Sequence, residues 1–536
     1  MKTAVYNRFW ESLGGGERYA GMIASTLAAD GHEVDLIGPR DVDTDKIARH
    51  LSLDLDGVRM RVITDDDESK VAKASADYDL FVTSTYMSRL HPLSARSAYV
   101  CFFPTPADHE LSDRQRFLAR HVGRRIRPPA QIRGFGYGTG WYPPEGGMRH
   151  QYGWSNGHGV LELPHGSDET FNLRLGRPGL SDQVLVSIAD QDGKTVSKVG
   201  VGREFADVMV TVPASMRKRT LHLLSETEQP QNDNRSLGVA LSRDSLLSKL
   251  TPPRLLARQF PWLTSVHTED RSYLKDYESI VTISEYTQSW VQRLWQMDSD
   301  LLFPPIDVDK MQPATERDNT IITIGRFFDP SRGHSKRQLE MVEIFRRLIE
   351  QEALDGWTLH MIGGCEEVNR PYFEKVMAAA DGLQIELHPN TPRHILNRLI
   401  NRASIFWSAT GMHEDTERRP WRNEHFGMTT AEAMAAGCVP VVIDRAGQRE
   451  IVRDGIDGYR WESLEQAVAL TAKVARDPVL REKFARSSMT RARDFSDRAF
   501  ADRWRAICQE RGLLAATADS DEPSEPSSGR SESTLD

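Results

Sequence analysis

The chain has few cysteines, no long apolar run and no excess of positive charge. Its four cysteines, Cys101, Cys365, Cys438 and Cys508, lack the paired spacing of a metal site or a disulfide framework. Three lie in or beside apolar runs, so they read as reduced, buried thiols of a cytosolic protein. No segment approaches the ~18 apolar residues needed to cross a bilayer. The start, MKTAVYNRFWESLGGGERYA, lacks the apolar region of a secretory signal. With 68 Lys and Arg against 77 Asp and Glu the net charge is −9, which argues against a nucleic-acid partner. The expectation is a cytoplasmic protein, soluble or peripheral, with any membrane contact at the inner face.

What remains is globular in composition, 39% hydrophobic and 27% charged, and 536 residues exceed what one core supports, so two or three domains are expected. At the start, strands over Thr3–Tyr6 and Glu33–Ile37 flank a helix that opens at Leu13-Gly14-Gly15-Gly16-Glu17. Buried strands at Asp79–Thr83 and Ala98–Phe103 continue a β/α alternation that predicts parallel α/β architecture. A glycine turn between strand and helix can set backbone N–H groups against a phosphate, although here the full dinucleotide fingerprint is missing and a tight turn explains it equally.

The rhythm then breaks. Between Leu111 and Arg133, Arg114, Arg116, Arg120, Arg124, Arg125, Arg127 and Arg133 interleave with Phe117, Leu118, Val122 and Ile126. The run reads either as a solvated helix or as a surface for anionic lipid headgroups. From Pro128, short alternating runs at Gly159–Leu163, Phe171–Leu175, Gln183–Ala189, Asp207–Val212, Thr220–Leu224 and Leu237–Leu241, with a turn at Asp192-Gly193, predict an all-β sandwich. Trp141, Tyr142 and Trp154 are read as either sugar-stacking faces or core. The α/β pattern resumes after Pro252-Pro253 with a strand at Ser279–Ile283, a helix opened by Ser284-Glu285-Tyr286-Thr287, and a proline-rich exit at Leu301–Lys310.

Chemistry concentrates beyond that exit. Gly325-Arg326 follows the strand Ile321–Ile324 and Lys336 opens a helix, two cations that read either as ordinary loop residues or as fixed donors for an anionic group. Strands are expected at Trp357–Ile362, Ile385–Leu387 and Ile405–Trp407, and His388-Pro389-Asn390-Thr391 forms a loop after the second. The stretch NEHFGMTTAEAMAAGCVPVVIDRAGQREIVRDGIDGYR, from Asn423 to Arg460, reads as a loop, a short helix capped by Thr429 or Thr430 and stopped at Gly437, and a buried strand at Val439–Ile443. It carries Glu424 and Glu432. A capping box, Thr429-x-x-Glu432, is the plainer explanation of the second acid. His413, Glu414, Asp415 and Glu417 are read as a mobile acidic loop, because their spacing fits no standard metal motif. Asp65, Asp66 and Asp67 are read as solvated charge.

Glu424-x7-Glu432 within EHFGMTTAEAMAAGCVPVV, followed by Gly447, Glu450, Gly455 and Gly458, resembles the signature of the retaining glycosyltransferases of family 4. CFFPTP, Cys101–Pro106, is similar to a loop of the lipid-linked oligosaccharide mannosyltransferases within that family. The histidine those enzymes often carry is replaced here by Phe102, and His109 is no substitute. The resemblance implies a GT-B fold, two Rossmann-like domains facing a cleft. The expected order is a first Rossmann-like domain over 1–127, an inserted β-sandwich over 128–247, the rest of the first domain and a linker over 248–310, a nucleotide-sugar-binding domain over 311–496, a helix crossing back over 497–514, and a disordered acidic tail over 515–536.

It further implies that Arg326, Lys336 and Glu424 are catalytic. Gly15, Gly16, Gly325, Asn390, Phe426, Gly427, Met428, Thr429 and Glu432 would bind the donor, Glu432 through the ribose hydroxyls. The donor would be a GDP- or UDP-linked hexose, mannose favoured, and the acceptor a glycan or a lipid-linked glycan. No cofactor or metal is expected. The alternatives are a nucleotide-sugar epimerase of the same fold and a non-catalytic carbohydrate-binding protein.

Overall fold

A computed structural model describes residues 1–64, 68–106, 109, 111–121, 136–146, 151–163, 169–180, 183–191, 193–212, 220–230, 233, 235–243 and 271–514. The readings of Asp65 to Asp67, most of the arginine run, the Pro252-Pro253 linker and the tail therefore lie outside the described residues.

The first domain is built on a seven-stranded sheet. Its strands run in the order Asp300–Leu301, Ser279–Thr282, Arg96–Cys101, Leu80–Thr83, Lys2–Tyr6, Glu33–Gly38 and Arg59–Val62. Every pairing is parallel, as continuous apolar runs such as LFVT require when both faces are covered. The second domain carries a six-stranded sheet, also parallel, ordered Ile385–Pro389, Thr358–Gly363, Thr320–Ile324, Ile405–Ser408, Val439–Ile443 and Tyr459–Trp461.

Within the first domain's sequence, the described residues between 136 and 243 form two five-stranded antiparallel sheets. Their facing apolar residues, among them Leu161, Leu173, Val186, Val210 and Leu221, share one core. The strand expected to start at Leu237 runs instead from Ala240 to Arg243, because Leu237 forms an isolated bridge to Glu228. Trp154 is 2% exposed, Trp141 packs against the sandwich core and donates from Nε1 to Val160 O at 2.9 Å, and Tyr142 packs beside Trp154 under the Arg235 guanidinium. Trp154 is core, and Trp141 and Tyr142 are half-buried against the sandwich, which favours the core reading over sugar stacking. The sandwich sits on the first domain through a buried cluster in which His91 meets Asp276 at 2.5 Å and lies edge-on to His222.

Local chemistry moves some boundaries. The strand expected to reach Phe103 ends at Cys101, because Pro104 and Pro106 cannot donate to a ladder; Phe102 and Phe103 are thereby released into the cleft loop. The helix expected to open at Lys336 begins at Gln338, after Arg337 takes a left-handed turn at φ 60°.

The terminal helix Asp497–Glu510 returns to pack on helix Gly15–Ala29. Trp504 is 1% exposed there, Phe500 meets Tyr19 edge-on at 5.0 Å, and Arg18 reaches Asp497 with Nη2 at 2.6 and 2.7 Å from its two oxygens. Arg18 also donates to the carbonyls of Leu51 and Pro305, so one guanidinium ties three segments together. Removing one partner of a buried pair strands the other's charge, at about 3–5 kcal/mol. Arg18→Met should therefore lower unfolding free energy by about 3 kcal/mol, the lower end because Asp497 keeps 30% of its side-chain exposure. Urea denaturation followed by tryptophan fluorescence reads this; a loss below about 1 kcal/mol, the range of a surface pair, would remove the bridge from the account.

Candidate active site

The C-terminal ends of the second domain's strands converge on a small charged group. Strand Thr320–Ile324 delivers Gly325 and Arg326. A Cβ on Gly325 would lie 2.4 Å from Lys336 Cγ, so the lysine stem lies flat on this glycine, and only glycine fits. Lys336 Nζ is bonded directly to Glu424 Oε2, with 20% and 13% of the two side chains exposed. Burial pushes the Glu424 carboxyl up. Lys336, joined only in acid by the charged forms of His334 and His425, outweighs it and holds the group down at about 2, so Glu424 is ionised at any physiological pH. The Arg326 guanidinium is exposed and has no hydrogen bond or ion pair among the described residues, while the Arg326 carbonyl accepts from Gln338 Nε2 at 3.1 Å.

The other predicted residues extend this wall as an arc. A Cβ on Gly364 would touch Arg326 Cγ at 3.6 Å and Asn390 Oδ1 at 3.9 Å. Asn390, at φ 54°, is clamped by Cys365, whose N–H it accepts at 2.8 Å and to whose carbonyl it donates at 3.0 Å. Beyond it Arg393 Nη2 lies 3.1 Å from Glu432 Oε1. Glu432 sits on helix Met428–Ala435, whose N-terminal residue Gly427 takes φ 113°. That helix has no side-chain cap, and Thr429 and Thr430 lie inside it, Thr430 facing Gln448 at 3.0 Å. The expected capping box is absent, and Glu432 is left to a side-chain partner instead of its own backbone. Phe426 also departs from expectation: its ring is 2% exposed and packs on Phe303 and Phe495, so its side chain braces the domain junction and does not face the cleft.

The opposite wall comes from the first domain. Gly15 and Gly16 are the first two residues of helix Gly15–Ala29, not loop residues. A Cβ on Gly15 would lie 2.8 Å from Met428 Sδ and one on Gly16 would lie 3.6 Å from Phe102. Gly15 thus sets how closely the two domains approach, whereas Gly16 packs on Phe102 of its own domain. Phe103 stacks on His425 at 4.3 Å.

Several residues were not read from the sequence as part of this site. His334 and His425 stack at 5.7 Å and flank the Lys336–Glu424 pair. Burial, then the Lys336 charge, lowers His334 to about 4; burial, then His334, lowers His425 to about 3. Both are neutral imidazoles at pH 7, each tethered to a backbone carbonyl, of Asn423 and of Trp421. Their Nε2 atoms and Asn423 Oδ1 are buried without a partner. The available signal was adjacency: His425 follows Glu424 directly and His334 precedes Lys336 by one intervening residue. The acidic loop is also corrected. Glu414 is 8% exposed and is held by Arg337 at 2.6 Å and Arg422 at 3.5 Å, so that loop is pinned by ion pairs. Arg116 is likewise no free surface cation: it lies 4.9 Å over the Trp421 ring and donates to His109 O.

Comparison with known proteins follows this geometry. Residues 307–491 match the family "Glycosyl transferases group 1". The chain is 26% identical over 230 residues to a Dictyostelium discoideum protein named GDP-Man:Man(3)GlcNAc(2)-PP-Dol alpha-1,2-mannosyltransferase, covering 40% of this chain and 42% of that one. A Caenorhabditis elegans protein of the same name is 26% identical over 294 residues, 51% of this chain and 57% of its own. The matches thus span about half the length of these relatives. Among solved structures, Anabaena HepE in complex with UDP and glucose superimposes with a TM-score of 0.50 at 10% identity, covering 95% of this chain and 99% of that one. Sucrose-phosphate synthase from Thermosynechococcus elongatus gives 0.51 at 11%, covering 95% and 98%. The fold is GT-B, and the second half of the chain carries a glycosyltransferase domain.

Glu450, on the second domain, accepts the backbone N–H groups of Glu285 and Tyr286 at 2.7 Å each, capping the first domain's helix Glu285–Trp295 from outside. Burial raises its carboxyl to about 7, against those two hydrogen bonds and with help from the Glu285 charge. A raised carboxyl means the docked domains hold a proton that separated domains have released, between its ordinary 4.5 and about 7. Docking should therefore weaken as pH rises through that window. Glu450→Gln, with no proton to exchange, should abolish this dependence, read as the radius of gyration by X-ray scattering from about pH 5 to pH 8. An unchanged pH profile in the variant would exclude Glu450 as its source.

Proposed function

We propose that the chain transfers a hexose, mannose before glucose, from a nucleotide-diphosphate sugar to a glycan or lipid-linked glycan acceptor, with retention at the anomeric carbon. The observation that carries this reading is the buried Lys336–Glu424 pair beside the unpartnered Arg326 at the strand ends. A site that fixes two cations and one ionised acid before any ligand arrives suits a reaction whose leaving group gains negative charge. The printed names of the mannosyltransferase relatives favour GDP-mannose as donor, and the UDP and glucose of the Anabaena structure keep a UDP-hexose as runner-up.

In this scheme the bond from the anomeric carbon to the donor phosphate breaks and a bond from the acceptor oxygen forms on the same face. The acceptor proton passes to the departing phosphate. Arg326 and Lys336 take up the charge on the diphosphate, Arg326 as a planar fork and Lys336 as a point charge. Glu424, kept ionised, orients the sugar, and Glu432 exchanges Arg393 for the ribose hydroxyls. No metal ion takes part in the transfer as written. Closure of the first domain over the site, limited by Gly15 against Met428, would exclude the water that otherwise hydrolyses the donor. Helix Asp113–His121, with Arg114 and Phe117 exposed, would rest the acceptor side against an anionic membrane. Among the described residues no helix is long and apolar enough to cross one.

A panel of GDP- and UDP-sugars, assayed for nucleotide release with and without lipid-linked acceptors, tests the proposal. GDP release dependent on acceptor is expected from GDP-mannose; free epimer or glycan binding without nucleotide release would sink it. Glu424→Gln should cut turnover by at least about a hundredfold, the scale of losing one positioned polar group, with circular dichroism unchanged. Lys336→Met should cost as much and also lower Tm, because it leaves Glu424 buried without a counter-charge.

A further inference from the structure

On the outer margin of the second domain's sheet, away from the Lys336–Glu424 pair, three side chains from two adjacent strands meet at one point. His360 comes from strand Thr358–Gly363, and Glu386 and His388 from the edge strand Ile385–Pro389. The strands pair in parallel with His360 opposite Glu386 and Ile362 opposite His388. Strand side chains alternate between faces, so all three project from the same face. His360 Nδ1 lies 3.0 Å from His388 Nε2, His360 Nδ1 lies 3.4 Å from Glu386 Oε2, and His388 Nε2 lies 3.5 Å from the same oxygen. Among the described residues this is the one group of three such ligands that converges within 4.8 Å.

Hydrogen bonding accounts poorly for this triangle. One proton serves the two ring nitrogens, and a carboxylate oxygen at 3.4 and 3.5 Å is long for a bond to either, where N–H···O bonds centre near 2.9–3.0 Å. A tetrahedral cation accounts for the two longer separations, and the 3.0 Å between the imidazole nitrogens needs only a small opening of the pair to admit it. Zinc ligands at ~2.0–2.1 Å stand about 3.3–3.4 Å apart along the edges of the tetrahedron. The donor set, two neutral imidazoles and a carboxylate, is one that zinc accepts, with the fourth position open to solvent. Glu386 is 60% exposed and the histidines 11% and 21%, so the ion has a path in and a half-buried seat.

We infer that His360, Glu386 and His388 form a binding site for a divalent first-row transition metal, zinc in the first place, that clips the sheet's edge strand to its neighbour. The edge strand has one partner strand, and its last residues lead into the loop of Asn390, itself held to Gly363 and Cys365. The metal would act as a structural fastener beside that loop. It takes no part in sugar transfer, and the inference stands whether or not the chain is a transferase.

The test uses the full chain, stripped with chelator and dialysed, then titrated with Co2+ followed by its visible ligand-field absorption and by displacement with Zn2+. One equivalent per chain is expected, with a tetrahedral spectrum and a Tm that rises with metal concentration. His388→Ala should weaken binding at least tenfold to a hundredfold, since even outer-shell changes cost that much. Glu386→Ala, at an exposed position that the fold does not need, should weaken it comparably while leaving the metal-free Tm unchanged. Absence of stoichiometric binding, or binding unaltered in both variants, would overturn the assignment and leave the cluster as a hydrogen-bonded imidazole pair.

Discussion

The site depends on one contact, the ammonium of Lys336 on the carboxylate of Glu424. Neither charge would survive at that depth alone. Moving a lone carboxylate into a poorly solvated seat costs several kcal/mol, and the usual outcome is that it takes a proton. Here the cation beside it reverses that outcome and keeps the acid ionised. The pairing in turn dictates the surroundings. Gly325 must lack a side chain so that the lysine stem can lie against it. Arg337, next in the chain, must find its own acid, and takes Glu414. The loop between the strand ending at Ser408 and the helix starting at Met428 is therefore anchored twice, by consecutive basic residues.

Because Lys336 is taken up by Glu424 and Arg393 by Glu432, Arg326 is the cation of this wall whose side chain has no partner among the described residues. An anion entering the cleft meets Arg326 first, and draws on Lys336 only as Glu424 finds hydrogen-bond donors of its own. Neutral His334 and His425 add no charge to this balance. Buried imidazoles that stay uncharged fill space between Phe103 and the ion pair without repelling Lys336. Both walls of the cleft thus meet through an aromatic and imidazole stack, while the chain's return helix, with Arg18 on Asp497, fixes the hinge side.

Much of this was legible in the sequence. Parallel sheets show as unbroken apolar runs, so VPVVI and LFVT were placed within a residue of their observed bounds. The cations and acids singled out at Arg326, Lys336, Glu424 and Glu432 lie along one wall, because loops at strand ends keep charged residues near one another. What escaped was whatever depends on partners distant in sequence. Arg59–Val62, RMRV, is a half-exposed edge strand whose alternation runs over only four residues, too short to stand out. Thr429-x-x-Glu432 satisfies a local capping rule, yet Gly427 takes the N-terminal position and Arg393 takes the acid. Phe426 lies inside the signature but serves the domain junction. The acidic loop around Glu414 looked mobile because the arginines that pin it come from 337 and 422.

The same logic separates the two histidine groups. His334 and His425 could be noticed only through their neighbours in the chain, and their neutrality follows from burial beside a lysine, which no local pattern encodes. His360, Glu386 and His388 lie on different strands, and only the register that sets His360 opposite Glu386 brings them together. A shift of that pairing by one residue would turn His360 to the opposite face. The apolar residues on either side, Ile362 in one core and Leu387 in the other, are what hold the register. Hydrophobic burial thereby sets the geometry of a polar cluster to which it contributes no ligand, just as it sets the strand end from which Arg326 projects.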